Sequence, residues 1–282
     1  MSKGDPEVIR LGLIGDNIAK SRAPDLHCSA GQLAGLNVTY DRLVPKELGL
    51  DFDGVFEMAR KDGFRGINVT YPYKETVTAK VTVDDPLVRA IGAVNTVVFE
   101  ADGSKGFNTD YSGFIRAWRG IQEDAKPGTV CLIGSGGVGK AVAFALVALG
   151  AEEIRCVDLE PDRAKELADS LTPVAGETRI VTARDAESAA VHANGIVNCT
   201  PLGMTGIGGT PVKKEALANS HWAFDAVYTP VETEFLRNAR DFGLIVITGY
   251  ELFFGQGVDA WDIFTGAGVD QVELRAAIRS TG

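Results

Sequence analysis

The stretch VCLIGSGGVGKAVAFALVALGAEEIRCVD, residues 130–158, decides how this chain is read. Residues 130–133 are a short apolar run that leads directly into Gly134-Ser135-Gly136-Gly137-Val138-Gly139. Residues 140–149 then read as a helix rich in Ala and Leu, which Gly150 stops. Residues 154–157 form a second short strand, closed by Asp158. Strand, glycine turn, helix, strand and acid make one βαβ unit of the dinucleotide-binding kind.

The glycines have separable jobs. Gly134 permits the tight turn out of the strand, Gly136 lets the backbone approach a pyrophosphate, and Gly139 lets the helix pack close to the strand. The helix start after Gly136 offers free N–H groups and a positive dipole end to phosphates. A lone glycine turn of this type is weak evidence; here both strands, the helix and the acid flank it. The candidate cofactor contacts are Gly134, Ser135, Gly136, Gly137 and Val138, with Asp158 some ~20 residues on for the ribose hydroxyls. A carboxylate there repels a 2′-phosphate. The next residue is Leu159 rather than Arg, although Arg163 stands within reach. NAD is therefore favoured over NADP. Asp158 can also cap the helix that starts at Pro161, which is compatible with the same role.

Composition sets the outer bounds. The 282 residues suffice for two domains, and 45% hydrophobic with 23% charged residues is ordinary for a globular protein. A net charge of −10 argues against a general nucleic-acid binder. Cys28, Cys131, Cys156 and Cys199 are scattered, and neither they nor His27, His192 and His221 show metal-ligand spacing. No metal is expected, and a reducing cytoplasm fits. The opening MSKGDPEV does not read as a signal peptide, and no apolar run is long enough to span a membrane.

Before the glycine turn the chain alternates strand and helix. Strands are expected over 8–14, 38–44 and 66–70, and helices over 24–36, 51–61 and 86–91, with a further helix opening at Pro72. Residues 94–99 and 105–108 read as a hairpin around Ala101-Asp102-Gly103. A helix over 111–121 leads into the second domain. After Asp158 come helices over 161–171, 185–192 and 232–242 and strands over 179–182, 195–199, 223–227 and 244–247, then two helices over 251–264 and 269–279. The expected architecture is α/β with two doubly wound domains. An N-terminal substrate domain, residues 1–110 joined by the C-terminal helices of 251–282, faces a Rossmann domain of residues 111–250, with the active site in the cleft between them.

Three stretches of the first domain are unusually polar for their setting: Ser21-Arg22-Ala23-Pro24, Asn68-Val69-Thr70-Tyr71-Pro72-Tyr73-Lys74, and Asn95 with Asn108-Thr109-Asp110. Each has a bland reading. Ser21 can be a helix cap, Asn95 a strand-end turn, Asp110 the N-cap of the 111–121 helix and Lys74 a solvated residue. Their joint placement at strand C-termini points to one ligand site.

Here the chain resembles the shikimate dehydrogenase family, including its quinate/shikimate branch. The resemblance runs over nearly the whole length, through SRAP-LH (21–27), GINVTYPYK (66–74), GAVNT (92–96), NTDYSGF (108–114), GSGGVGKA (134–141), NCTPLGM (198–204), DAVYTPVET (225–233) and the Gln256 helix. It implies NAD(P)-linked oxidation of a ring hydroxyl of shikimate or quinate, a small cyclic hydroxy acid. It implies Lys74 and Asp110 as the catalytic pair and Ser21 as a ligand of the substrate carboxylate. Thr70, Asn95 and Gln256 would bind ring hydroxyls, Tyr228 would close over the substrate, and Val227 and Gly249 would lie against the nicotinamide. The chemistry is sensible, because a lysine near the substrate oxygen can accept its proton or stabilise developing charge. A monomer or homodimer is expected.

The chain departs from the family pattern at two positions in its first domain. Ala23 stands where a second hydroxyl residue is usual, and Tyr73 where His is usual. Asp158-Leu159 likewise replaces the Asn-Arg of NADP-using members. These departures favour an NAD enzyme of catabolic or specialised type, or a paralogue acting on another hydroxylated or aminated ring acid. A non-catalytic NAD-binding sensor would need neither Lys74 nor Asp110, so their retention speaks against it.

Overall fold

The computed structural model describes residues 8–280. In chain order it contains β1 (Ile9–Ile14), α1 (Ala23–Ala34), β2 (Val38–Leu43), α2 (Pro45–Leu48), α3 (Phe52–Lys61), β3 (Gly66–Val69), α4 (Pro86–Ile91), β4 (Thr96–Glu100) and β5 (Gly103–Phe107). Then follow α5 (Thr109–Gln122), β6 (Thr129–Ile133), α6 (Gly137–Ala148), β7 (Glu153–Val157), α7 (Pro161–Leu171), β8 (Arg179–Thr182), α8 (Ala186–Ala190) and β9 (Gly195–Asn198). The chain closes with β10 (Trp222–Asp225), α9 (Glu234–Asp241), β11 (Ile245–Ile247), α10 (Gly249–Thr265) and α11 (Gln271–Ser280).

Local chemistry sets several of these bounds. The Asp51 carboxylate accepts from the Gly54 N–H at 2.7 Å and opens α3. Asp185 does the same for α8 through Ser188, and Thr233 for α9 through Leu236. Helix α7 opens on Pro161, whose missing N–H costs nothing in the first turn. Helix α6 is buried along Ala141–Leu146, as an apolar helix without a polar face must be.

The chain divides into two compact units: one runs through Thr109 and resumes at Gln256, the other is Asp110–Gly255. Both divisions fall inside helices, α5 and α10. The first unit holds a five-stranded sheet in the order β2-β1-β3-β4-β5. Strands β1, β2 and β3 are parallel, whereas β4 and β5 run antiparallel. The sheet is thus mixed, with the hairpin read from the sequence at one edge. Glu100 pairs with Gly103, which leaves a two-residue loop, Ala101-Asp102. The pleat sends neighbouring residues to opposite faces. Val97 packs with Ile14, Phe56 and Ile67 on one side, and Val98 with Leu11, Ala260 and Phe264 on the other.

His27 of α1 is buried in this unit, 1% exposed. Its ring stacks on Tyr40 at 5.0 Å and meets Phe264 edge-on at 5.6 Å. Burial pushes its pKa down to about 3, so the ring is neutral.

No α-helix opens at Pro72. Residues 71–75 form turns, and a 3₁₀-helix follows over Thr76–Lys80. Two effects override the helical reading. The Lys74 carbonyl accepts from the Val94 N–H at 2.8 Å, so it does not accept the i+4 bond of a helix. Thr76, Val77 and Thr78 are β-branched and lose χ1 freedom in a helix, and the Thr78 hydroxyl instead donates to the Glu75 carbonyl at 2.6 Å.

The second unit holds a six-stranded sheet in the order β11-β10-β9-β6-β7-β8. Every pairing is parallel. Counted from β6, this is the 3-2-1-4-5-6 order of a Rossmann domain.

Candidate active site

The strand order reverses between β6 and β9, and such a switch point opens a crevice at the strand C-termini. The glycine turn lies there. Gly134 has φ +98°, and a Cβ on it would lie 2.8 Å from the Cys199 carbonyl oxygen. A Cβ on Gly139 would lie 1.9 Å from the Gly134 carbonyl oxygen, so α6 can lie against the turn only with glycine at 139. At Gly136 nothing comes within 4 Å of that position. Tight inner glycines and an open middle one suit a pyrophosphate seated on the first turn of α6. Gly136 caps that helix without a side-chain acceptor.

Asp158 does more than the sequence reading assigned to it. It accepts from the Ser135 N–H at 2.7 Å and from the Glu160 N–H at 3.0 Å. The acid thus braces the turn, and each carboxylate oxygen keeps capacity for a further bond. Leu159 beside it is 99% exposed. Arg163 lies 3.8 Å from Glu160, so the nearby cation already has a carboxylate neighbour. These residues fit a dinucleotide with free ribose hydroxyls.

The next two strands of this sheet end on a buried polar lattice. Asn198, the last residue of β9, donates to Asp225 at 2.9 Å and to the Leu202 carbonyl at 3.1 Å. The fully buried Asp225 ends β10 and accepts also from the Val227 N–H at 3.0 Å and the Thr233 hydroxyl at 2.5 Å. Burial pushes its pKa up to about 6, and the three donors hold it from rising further. Val227 is thereby fixed. A Cβ on Gly249 would lie 2.5 Å from the Val227 carbonyl oxygen, so these two candidate residues adjoin. Tyr228 stacks on Phe253 at 5.2 Å. Asp110 is buried in the first turn of α5, a helical residue rather than the N-cap of a helix over 111–121. A carboxylate there complements the helix dipole.

In the first unit, Asn95 and Gln256 come together: the Asn95 Nδ2 donates to the Gln256 Oε1 at 3.2 Å. Thr70 follows β3, its N–H bonded to the Ile14 carbonyl at 2.9 Å. Lys74 is half-buried, and its backbone is held by Val94. The Ser21 hydroxyl accepts from the Ala23 N–H at 3.3 Å, which leaves its own hydrogen for a ligand. Tyr73 stacks on Phe52 at 4.8 Å and donates to Asp16 at 2.7 Å, which raises its pKa to about 12. A cavity of about 640 Å³ lies on that side, bounded by Asp16, Pro45, Phe52 and Tyr73. Among the described residues no cluster of His, Cys, Asp or Glu could hold a metal ion.

Comparison with known proteins agrees with this fold. Residues 13–97 match the family described as shikimate dehydrogenase substrate binding domain, and residues 129–228 that described as NADP oxidoreductase coenzyme F420-dependent. The quinate/shikimate dehydrogenase (NAD(+)) of Corynebacterium efficiens is 39% identical over 96% of this chain and 98% of its own. The chain belongs to the shikimate/quinate dehydrogenase family. The shikimate dehydrogenase (NADP(+)) of Pseudarthrobacter chlorophenolicus is 37% identical over 94% of this chain and 92% of its own. Among solved structures, quinate dehydrogenase from Corynebacterium glutamicum in complex with NAD superposes with a TM-score of 0.89 at 38% identity, covering 97% of this chain and all of the other. Family members thus include both cofactor types.

Sequence reading missed the residues behind the candidates. Asn68 and Thr96 bond to Asn95 and Tyr40 bonds to Asn68; Asp225 holds Val227 and is itself held by Asn198 and Thr233. One signal was available for the second set: the apolar runs GIVN and WAFD each end on a polar residue at the sheet's C-terminal edge.

Proposed function

We propose that this family member is an NAD-dependent dehydrogenase that reversibly oxidises a ring hydroxyl of quinate or shikimate to the 3-dehydro ketone. The observation that carries the cofactor half is the strand end Asp158-Leu159 beside an open glycine turn. Lys74 and Asp110, both in place in their motifs, support the catalytic half. NAD, when bound, supplies the hydride acceptor.

The chain's own residues do the rest. The Ser21 hydroxyl donates to the substrate carboxylate, without the second hydroxyl that Ala23 lacks. Thr70, Asn95 and Gln256 hold the ring hydroxyls. Lys74 takes the proton that the reacting hydroxyl must shed as the hydride departs, and Asp110 orients that lysine. Tyr228, steadied by Phe253, packs over the ring, while Val227 and Gly249 form the backbone surface for the nicotinamide. The four cysteines are free thiols, which supports a cytoplasmic site of action.

Absorbance of the reduced cofactor, followed with a panel of ring acids and with each cofactor, tests the proposal. NAD should exceed NADP in kcat/KM by at least about tenfold, or ~1.4 kcal/mol. Asp158→Ala should weaken NAD, through both the ribose and the loosened Ser135 turn, and narrow the gap. A wild type that prefers NADP would sink the cofactor assignment, and silence with quinate and shikimate would sink the substrate class.

A further inference from the structure

The side-chain amides of Asn68 and of the substrate candidate Asn95 have a fixed polarity. Two backbone groups decide it. The Asn95 Oδ1 receives the Thr109 N–H at 2.8 Å, and an N–H can only donate. The Asn68 Nδ2 lies 3.3 Å from the Asn95 carbonyl oxygen, which can only accept. Neither amide can be turned over without setting like against like.

From these anchors each neighbouring hydrogen bond acquires a direction. The Tyr40 hydroxyl donates to the Asn68 Oδ1 at 2.8 Å. Asn68 donates through its Nδ2 to the Thr96 hydroxyl at 3.0 Å. Thr96, having accepted there, turns its own hydrogen to the Asn95 Oδ1 at 3.1 Å or to the Thr109 hydroxyl at 3.3 Å, which reaches the same Asn95 oxygen at 3.2 Å. Asn95 then donates to the Gln256 Oε1 at 3.2 Å. Thr96 is fully buried, and burial holds the Tyr40 hydroxyl in its protonated, donating form. Bonds aligned head to tail in a low-dielectric interior strengthen one another.

We propose that Tyr40, Asn68 and Thr96 are positioning residues of a one-way hydrogen-bond relay that fixes the Asn95 amide and presents the Gln256 Nε2 to the substrate as a donor. The inference rests on the ring-acid reading above and narrows it. The substrate oxygen that meets Gln256 must accept, so its own hydrogen, if it has one, is directed elsewhere. A ring whose group at that position can only donate, such as an ammonium, is rejected.

The test is a KM-against-kcat split. Thr96→Val keeps the shape and removes the relay hydroxyl. It should raise KM for the preferred ring acid roughly three- to tenfold, the range of one neutral hydrogen bond. kcat and the KM for NAD should stay within about twofold, since only the ring-acid amides are disturbed. Thr96→Ser should restore the KM. Tyr40→Phe, at the far end of the relay, should move KM in the same direction by less, and it serves alone if Thr96→Val does not fold. An unchanged KM in folded Thr96→Val or Tyr40→Phe, or failure of Thr96→Ser to restore it, overturns the relay. If the wild type oxidises no ring acid, the functional reading falls separately. The relay is then read from the ¹⁵N side-chain resonance of Asn95, which Tyr40→Phe and Thr96→Val must shift; an unmoved resonance overturns it.

Discussion

Lys74→Ala is expected to lower kcat by at least about 10²-fold, the low end of what a positioned acid–base group contributes. The fold should tolerate the change. The segment is held by the backbone, with the Lys74 carbonyl on the Val94 N–H and the Tyr73 N–H on the Thr70 carbonyl at 2.9 Å. Truncating the side chain leaves both bonds intact. Binding of NAD should hardly alter, because the glycine turn and Asp158 belong to the other unit. Lys74→Arg separates the two ways a lysine can help. An arginine keeps the charge but does not give up its proton. If Lys74 acts as the base, Arg should be nearly as poor as Ala; if it acts by charge alone, Arg should recover much of the rate. A fully active Lys74→Ala enzyme in steady-state assays would remove the residue from the mechanism.

A steep loss of stability in mild acid is expected from His27. Unfolded, the ring has the ordinary histidine pKa near ~6.5; folded, burial depresses it to about 3. Between those values the unfolded chain binds the extra proton, so stability is fully present above about pH 6.5 and falls as pH falls. The linkage slope is about 1.4 kcal/mol per pH unit, which accumulates to about 5 kcal/mol by pH 3. That rivals the whole stability of an ordinary domain, about 5–15 kcal/mol, so the first unit should unfold before the native ring titrates. His27→Leu removes the proton site. Urea unfolding at pH 7, 6, 5 and 4 should show a markedly flatter dependence in this variant, whatever its loss at pH 7. Parallel slopes for variant and wild type would mean that the buried ring is not the acid-labile group.

The second unit was the more legible in sequence, because its decisive contacts are local. Gly139 meets the Gly134 carbonyl five residues back, the open Gly136 leads straight into α6, and Pro161 and the Asp185 and Thr233 caps act within one turn; only the approach of Gly134 to Cys199 is distant. What stayed hidden depends on partners far along the chain. The helix expected at Pro72 is lost because the Lys74 carbonyl goes to Val94, twenty residues on. Nothing local to Asn68 says that its amide faces the Asn95 carbonyl, or that Tyr40 and Thr96 complete its bonds. Asp158 was assigned by spacing to a ribose, yet its grip on the Ser135 N–H required knowing that β7 lies beside β6. The candidate residues could be picked out because their motifs are contiguous; the groups that orient them are not.

Asp225 gives the nucleotide-binding unit the opposite response to protons. Burial pushes its carboxyl up to about 6, above an ordinary aspartate, so the folded unit binds a proton between about pH 6 and pH 4 that the unfolded chain does not. Ionised at neutrality, the group costs up to about 3 kcal/mol, and mild acid relieves that cost. One proton therefore weakens the substrate half of the polypeptide while another strengthens the cofactor half. Acidification should pull their melting apart, and the tryptophans report it: Trp261 stands 6.4 Å from His27, whereas Trp118 and Trp222 pair at 4.8 Å in the other half. Emission from Trp261 should be lost at a higher pH than emission from the pair. A single coincident transition would show instead that the two halves melt as one body, with the acid cost shared across the whole molecule.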